Sequence, residues 1–450
     1  MKKNFFLLAL SLCSAVAFAQ EFTLKEAIDY AIINNANHQN AIIDQQIAEM
    51  QKKEVTGMGL PQLSASLDMK YYPQVPTSVF DVSNFPGSPA AKGTYDKGSF
   101  AVPYSNTAGI QISQLIFSSD YIVALQASKS FIDLSKKSVD RSKIETSVAV
   151  TKAYYTVLIS KERMKLLDNQ MDRIKKLLDD TKVLFENGFV ESIDVDRITL
   201  TYNNLLTEKE KIVRLVEFTE SLLKFQMGYG INSPIVLKDS LETITQTPAD
   251  FILPEKFNYS DRVEYSLLES QHQLNQLDLK RNKMKWMPSL VAYGNVGATN
   301  MSGVFHPYYF GRQTDPTKQW FPISVVGVTL NVPIFDGTQT YFKTQQARLN
   351  VQKTENTLKS VESVIDLEIR NSLTSYKNAL ASLNTQKANI ELAQKVYDVS
   401  KLKYDQGVAS LLEVTTAETT LKETQINYFN SLYDFLIAKT DYEKATGVIK

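Results

Sequence analysis

The sequence predicts a mostly α-helical fold with a small β part, internally duplicated. Three observations carry this. Residues 120–186 and 338–405 each form a stretch of about 67 residues without proline or glycine, with apolar residues spaced by sevens. Two short segments of alternating polarity precede each stretch. A glycine-centred turn and a second heptad segment follow each one, so one plan is written twice.

The chain opens with Lys2 and Lys3, an apolar run from Phe5 to Val16 and the step Ala17-Phe18-Ala19. This is the pattern of a secretory signal peptide over residues 1–19, with the mature chain starting near Gln20. Lipidation of Cys13, the only cysteine, is the competing reading, but Leu12 stands where a small residue is expected. Without that segment no cysteine remains, so burial and assembly hold the chain rather than disulfides. Loss of Lys2 and Lys3 takes the formal charge from 0 to about −2, which excludes a polybasic nucleic-acid binder. No apolar run of 18 or more follows, which excludes a transmembrane α-helix.

The strands come next. Leu63, Ala65, Leu67, Met69 and Tyr71 alternate with polar residues, as do Leu290, Ala292, Val296 and Ala298 less cleanly because Gly294 interrupts. Ala108, Ile110 and Ile112 form a second such segment, matched by Val326, Val328, Leu330 and Val332. Period two over about ten residues is a strand with one apolar face. Each second strand closes on an aromatic step, Ile116-Phe117 and Ile334-Phe335, before a polar turn. Loops 73–101 and 299–322, rich in Pro, Gly and aromatics, join the strands of each pair.

The seam of the first long helix is Val157, Met164, Leu167, Met171, Ile174, Leu178 and Phe185; that of the second is Tyr376, Leu383, Ile390, Tyr397 and Tyr404. At ~1.5 Å per residue each helix is about 100 Å long, and such a length needs a partner helix. Ile198, Leu205 and Ile212 form the row of one partner; Leu421, Tyr428, Phe435 and Tyr442 form the other. Shorter helices are expected over 24–56 and 260–286. The chain therefore divides into a signal peptide 1–19, a first repeat 20–228, a connector 229–259 and a second repeat 260–450. The first repeat holds a strand pair 61–117, a long helix 118–186 and a helix 192–228. The second holds a strand pair 288–335, a long helix 337–405 and a helix 410–446.

Strands of this length match a tilted crossing of a bilayer, and only a closed barrel can cross. Four strands cannot close alone, eight are too narrow for a channel, and a trimer supplies twelve. A soluble sandwich with helical arms is the bland alternative.

The duplicated order, with GIQISQLIFSSD and GVTLNVPIFDGT at the strand-to-helix steps and NGFVESIDV and QGVASLLEV at the turns, resembles the TolC-type outer-membrane efflux proteins over essentially the whole mature chain. The resemblance implies a homotrimer with a twelve-stranded β-barrel in outer-membrane lipid. It also implies a periplasmic α-barrel of long coiled-coil helices, a periplasmic adaptor and an inner-membrane pump as partners. It places both glycine turns at the periplasmic tip. Asp194 and Glu413 would then line a cation-attracting aperture, with Tyr404 left from a latch whose arginine and second acid are here Ala409 and Thr416. Gly188, Val190, Ser192, Gly407, Val408 and Ser410 would meet the adaptor. The plain alternative for the two acids is a favourable place in the first turn of a helix. His38, His272 and His306 show no metal-ligand spacing, and no catalytic motif appears, so neither enzyme nor cofactor is expected. A passive exit duct is the leading reading; an adhesive coiled-coil protein of the envelope and an enzyme on a helical scaffold are the others.

Overall fold

The computed structural model describes residues 20–84, 86–87, 89–99, 101–241, 257–303 and 319–449. The expected signal peptide, His306, the centre of loop 299–322 and residues 242–256 of the connector lie outside them. The chain runs β1 (Gln20–Phe22), α1 (Leu24–Asn34), α2 (Ala36–Gly57), β2 (Gln62–Tyr71), β3 (Ser78–Asp81), β4 (Tyr95–Gly98), β5 (Tyr104–Phe117), α3 (Ser119–Glu186) and α4 (Ser192–Met227). It continues with β6 (Ile235–Leu237), α5 (Val263–Met284), β7 (Ser289–Ser302), β8 (Phe321–Asn331), α6 (Gln339–Asp405) and α7 (Leu411–Ala445). Among the described residues no helix is long and apolar enough to cross a membrane.

Two compact units result. The unit formed by Ile47–Ile132 and Gln271–Thr354 holds a four-stranded antiparallel sheet in the order β2-β5-β7-β8. The two predicted strand pairs meet through β5 and β7, with Ala108 opposite Ala298. Both outer strands, β2 and β8, are open edges. Gly294 does not interrupt β7: it pairs with Ile112 on one side and Val326 on the other, and a Cβ there would lie 3.3 Å from Ile112. Loop 73–101 is not irregular throughout: β3 and β4 pair within it, Ser78 opposite Gly98. The matching aromatic steps diverge. Phe117 ends β5 within the sheet, opposite Leu290 across a bulge, whereas β8 stops at Asn331 and leaves Ile334 and Phe335 beyond it.

The other unit holds most of the four long helices, and the predicted seams are largely its cores. Leu167, Met171, Ile174 and Leu178 of α3 pack with Ile198 and Leu205 of α4 and with Leu411 and Val414 of α7. Phe185, at the end of the first seam, stays exposed. A second cluster gathers Tyr154, Val157 and Leu158 of α3 with Leu223 and Met227 of α4 and Leu432 and Leu436 of α7. Truncating one such buried leucine to alanine costs about 2–5 kcal/mol. The connector is partly regular, because β6 pairs in parallel with β1.

The helix expected over 24–56 breaks at Asn35. Its amide donates to the Gln226 carbonyl at 2.8 Å, while its Oδ1 accepts from the backbone N–H of Asn37 at 2.9 Å and of His38 at 3.2 Å. One side chain thus closes α4 and opens α2. In the second repeat Arg262 stands directly before α5 and donates to the Ala445 carbonyl at 2.8 Å, closing α7.

Candidate functional site

The site is built from two turns with one backbone. Leaving α3, Gly188 has φ 76° and its N–H bonds the Phe185 carbonyl at 2.9 Å, while Phe189 N–H reaches back to Leu184 at 2.9 Å. Leaving α6, Gly407 has φ 74°, Gly407 N–H bonds Tyr404 at 2.9 Å and Val408 N–H bonds Lys403 at 2.9 Å. This is the Schellman end, in which a left-handed glycine satisfies carbonyls that the helix leaves unpaired. A Cβ at either glycine would meet nothing within 4 Å, so glycine is required by φ and not by crowding.

The next helix starts differently in the two turns. Ser410 is the N-cap of α7 and its Oγ accepts from Glu413 N–H at 3.3 Å. In the first turn the cap is Glu191, without a side-chain bond, and Ser192 is already the first residue of α4. Asp194 and Glu413 therefore share one place, the third residue of a helix, where an acid opposes the dipole favourably.

Their surroundings are unlike. The half-buried Asp194 has no ion pair among the described residues. Glu413 folds back toward α6, 3.7 Å from the Lys403 ammonium and 3.4 Å from the Ser400 hydroxyl. Gly188, Ser192, Gly407, Val408 and Ser410 are exposed; Val190 is half-buried. Phe189, in the place of Val408, is exposed as well. Tyr404 packs against the cluster beside the turns, with the Lys401 ammonium 5.6 Å from its ring centre. Its hydroxyl is buried and makes no hydrogen bond among the described residues, so the structure does not join Tyr404 to Asp194 by one.

What ties the two hairpins beside the turns is a pair the sequence did not reveal. Arg173 of α3 forks onto Glu418 of α7, with Nη2 2.9 Å and Nε 3.2 Å from Oε1. The Glu418 side chain is 4 % exposed, and Tyr397 of α6 stacks its ring 5.8 Å from the guanidinium. Burial, and after it the Glu418 charge, raises the Tyr397 phenol. Lys422 of α7 pairs with Glu208 of α4 nearby. Two further glycines were also missed. Gly228 and Gly447 end α4 and α7 by the same bond pattern and, like Gly188 and Gly407, lie 219 residues apart. That shared offset was the available signal; the pair Arg173–Glu418 offered none, because charged residues at heptad flanks are usually solvated.

Residues 266–448 match the family model described as outer membrane efflux protein. The outer membrane protein TolC of Escherichia coli (strain K12) is 23 % identical over 451 residues, covering 98 % of this chain and 86 % of that protein. Over nearly its whole length the chain is thus similar to TolC-type outer-membrane efflux proteins. Solved channels share the fold. Campylobacter jejuni CmeC superposes with a TM-score of 0.70 at 17 % identity, over 94 % of this chain and 85 % of that one. The open state of Neisseria gonorrhoeae MtrE gives 0.71 at 16 %, over 94 % and 88 %. The fold class is therefore that of these channels, long paired helices with a four-stranded antiparallel sheet.

Proposed function

We propose that this TolC-like protein is the passive exit duct of a tripartite efflux or secretion system, receiving cargo from a periplasmic adaptor and an inner-membrane pump. The observation that carries it is the four-stranded sheet β2-β5-β7-β8, with two open edges and an exposed apolar face. Such a sheet is stable in lipid only when its edges are closed by other copies. Three copies give a twelve-stranded barrel. Chemistry is not part of this role; the duct only conducts.

The twin turns form the periplasmic aperture in this reading. Asp194 and Glu413 set its charge, and Gly188, Val190, Ser192, Gly407, Val408 and Ser410 receive the adaptor. The free Asp194 carboxylate supports a lumen role more directly than Glu413, which is half engaged by Lys403. Purified protein should behave as a trimer by mass in detergent and conduct ions in planar bilayers. A stable monomer without conductance, even after the tip charges are removed, returns the chain to a structural or adhesive role.

A further inference from the structure

The unit that holds the sheet carries a surface that conduction does not use. On β8 the alternate residues Val326, Val328 and Leu330 are exposed, and their row runs on past the strand through Val332 to Ile334, which is 95 % exposed. The row leads to an open cleft of about 200 Å³ lined in part by Lys285, Trp286, Ile334, Phe335, Asp336 and Tyr341. Trp286 is 68 % and Phe335 81 % exposed. Four exposed apolar or aromatic side chains, Trp286, Ile334, Phe335 and Tyr341, beside one ammonium and one carboxylate, are costly in water. In the first repeat Phe117 pairs within the sheet and Ile116, at the bulge, is exposed. Only in the second are both residues of the step exposed and beyond the strand.

In the barrel reading, a neighbouring chain leaves the strand part of this row, Val326 to Leu330, uncovered. It would approach the edge of β8 in the plane of the sheet, through backbone hydrogen bonds about 4.8 Å away, whereas side chains stand perpendicular to that plane. In the barrel reading, the more exposed of the two apolar rows of β8 is the one that meets lipid. Aromatic residues with a basic partner at the end of an apolar band sit at the headgroup level.

We propose that this cleft is a phospholipid site at the periplasmic rim of the barrel, selective for a zwitterionic headgroup with a primary ammonium. The acyl chains lie along Val326 to Ile334, the phosphate meets the Lys285 ammonium, and the headgroup ammonium meets the Asp336 carboxylate. The proposal rests on the outer-membrane reading above.

The chain has two tryptophans, so Trp320→Phe leaves Trp286 as the single fluorescent reporter. Phosphatidylethanolamine with acyl chains brominated near the glycerol end is titrated into detergent-solubilised protein, beside brominated phosphatidylcholine and phosphatidylglycerol. Phosphatidylethanolamine should quench Trp286 saturably with an apparent affinity about five-fold above the others, the worth of one solvent-exposed ion pair. Asp336→Asn should abolish that preference while keeping the acceptor that Thr340 N–H uses at 2.8 Å, and Lys285→Ser should weaken quenching by all three lipids alike. Equal quenching by the three lipids, or a preference untouched by Asp336→Asn, overturns the site. Conductance of the same preparation is read separately. Conduction without lipid preference removes the site and leaves the duct, while preference without conduction does the reverse.

Discussion

Removing one side of the Arg173–Glu418 pair should weaken the junction of the two hairpins far more than removing both. Two unit charges about 4 Å apart at an effective dielectric of about 20 attract by roughly 4 kcal/mol, most of which repays the desolvation of Glu418. In Glu418→Leu the Arg173 guanidinium stays between α3 and α7 without its carboxylate, with its side chain 30 % exposed. A fully buried orphan charge costs about 3–5 kcal/mol; partial access to water lowers the expectation to about 2–3 kcal/mol. Arg173→Met strands the more deeply buried Glu418 and should cost at least as much. The double variant fills the space with apolar volume and should lie within about 1 kcal/mol of the parent. Urea midpoints of the detergent-solubilised protein, followed by far-ultraviolet circular dichroism for the four chains of the cycle, give the coupling energy. A value of about 2 kcal/mol or more is expected. Coupling below about 0.5 kcal/mol would refute the reasoning, because the pair would then behave as a solvated surface contact.

Asp194→Asn with Glu413→Gln should lower cation preference and weaken block by multivalent cations in planar bilayers; unchanged selectivity would leave both acids as helix-start residues worth about 0.3–1 kcal/mol each. The Asp194 change should carry most of the effect, given the Lys403 contact of Glu413. Gly407→Trp meets open space at its Cβ, so only the left-handed backbone resists, at roughly 1–2 kcal/mol. The variant should remain folded and inserted yet fail in export by intact cells, and normal export would place the docking surface elsewhere. The Arg262 clamp predicts a pH dependence. Burial would raise the Glu264 carboxyl, but the hydrogen bond and charge of Arg262 outweigh it and hold the group below its ordinary 4.5. A depressed carboxyl stabilises above its unfolded value and loses that contribution as pH falls through the folded one. The stability gap between parent and Glu264→Gln should therefore be full at neutral pH and close below about pH 4.5; a gap that is constant with pH would deny the pairing.

Period was the legible part of this fold. The seams at Leu167, Ile174, Ile198 and Leu421 are buried where heptad spacing put them, and the glycine turns fall at Gly188 and Gly407 because φ near +75° leaves little choice of residue. Caps made at long range were not legible. Asn35 looked like one more polar residue in a helix, yet its amide is needed by a carbonyl 191 residues away. Buried charge was invisible for the same reason. Arg173 and Glu418 sit 245 residues apart and reveal themselves only when α3 and α7 pack. The end of β8 was misplaced because Ile334-Phe335 repeats the letters of Ile116-Phe117, while strand ends follow pairing and not letters. At the turns, the matching acids Asp194 and Glu413 were placed alike by alignment; that one is free and the other tethered depends on Ser400 and Lys403 across the turn.

The central pairing of the sheet also dictates an order of events. β5 can meet β7 only after α3, α4 and α5 have been made, since Ala108 and its partner Ala298 are separated by most of two hairpin helices. Closing so long a loop is entropically costly unless the intervening chain is already compact, and local helical contacts form soonest. Assembly should thus run from helical hairpins to sheet, with β2 and β5 waiting as a two-stranded ribbon whose free edge is sticky in water. During transit through the periplasm that ribbon is the vulnerable species, and a chaperone that shields strand edges would find its substrate there before any second repeat exists to cover it.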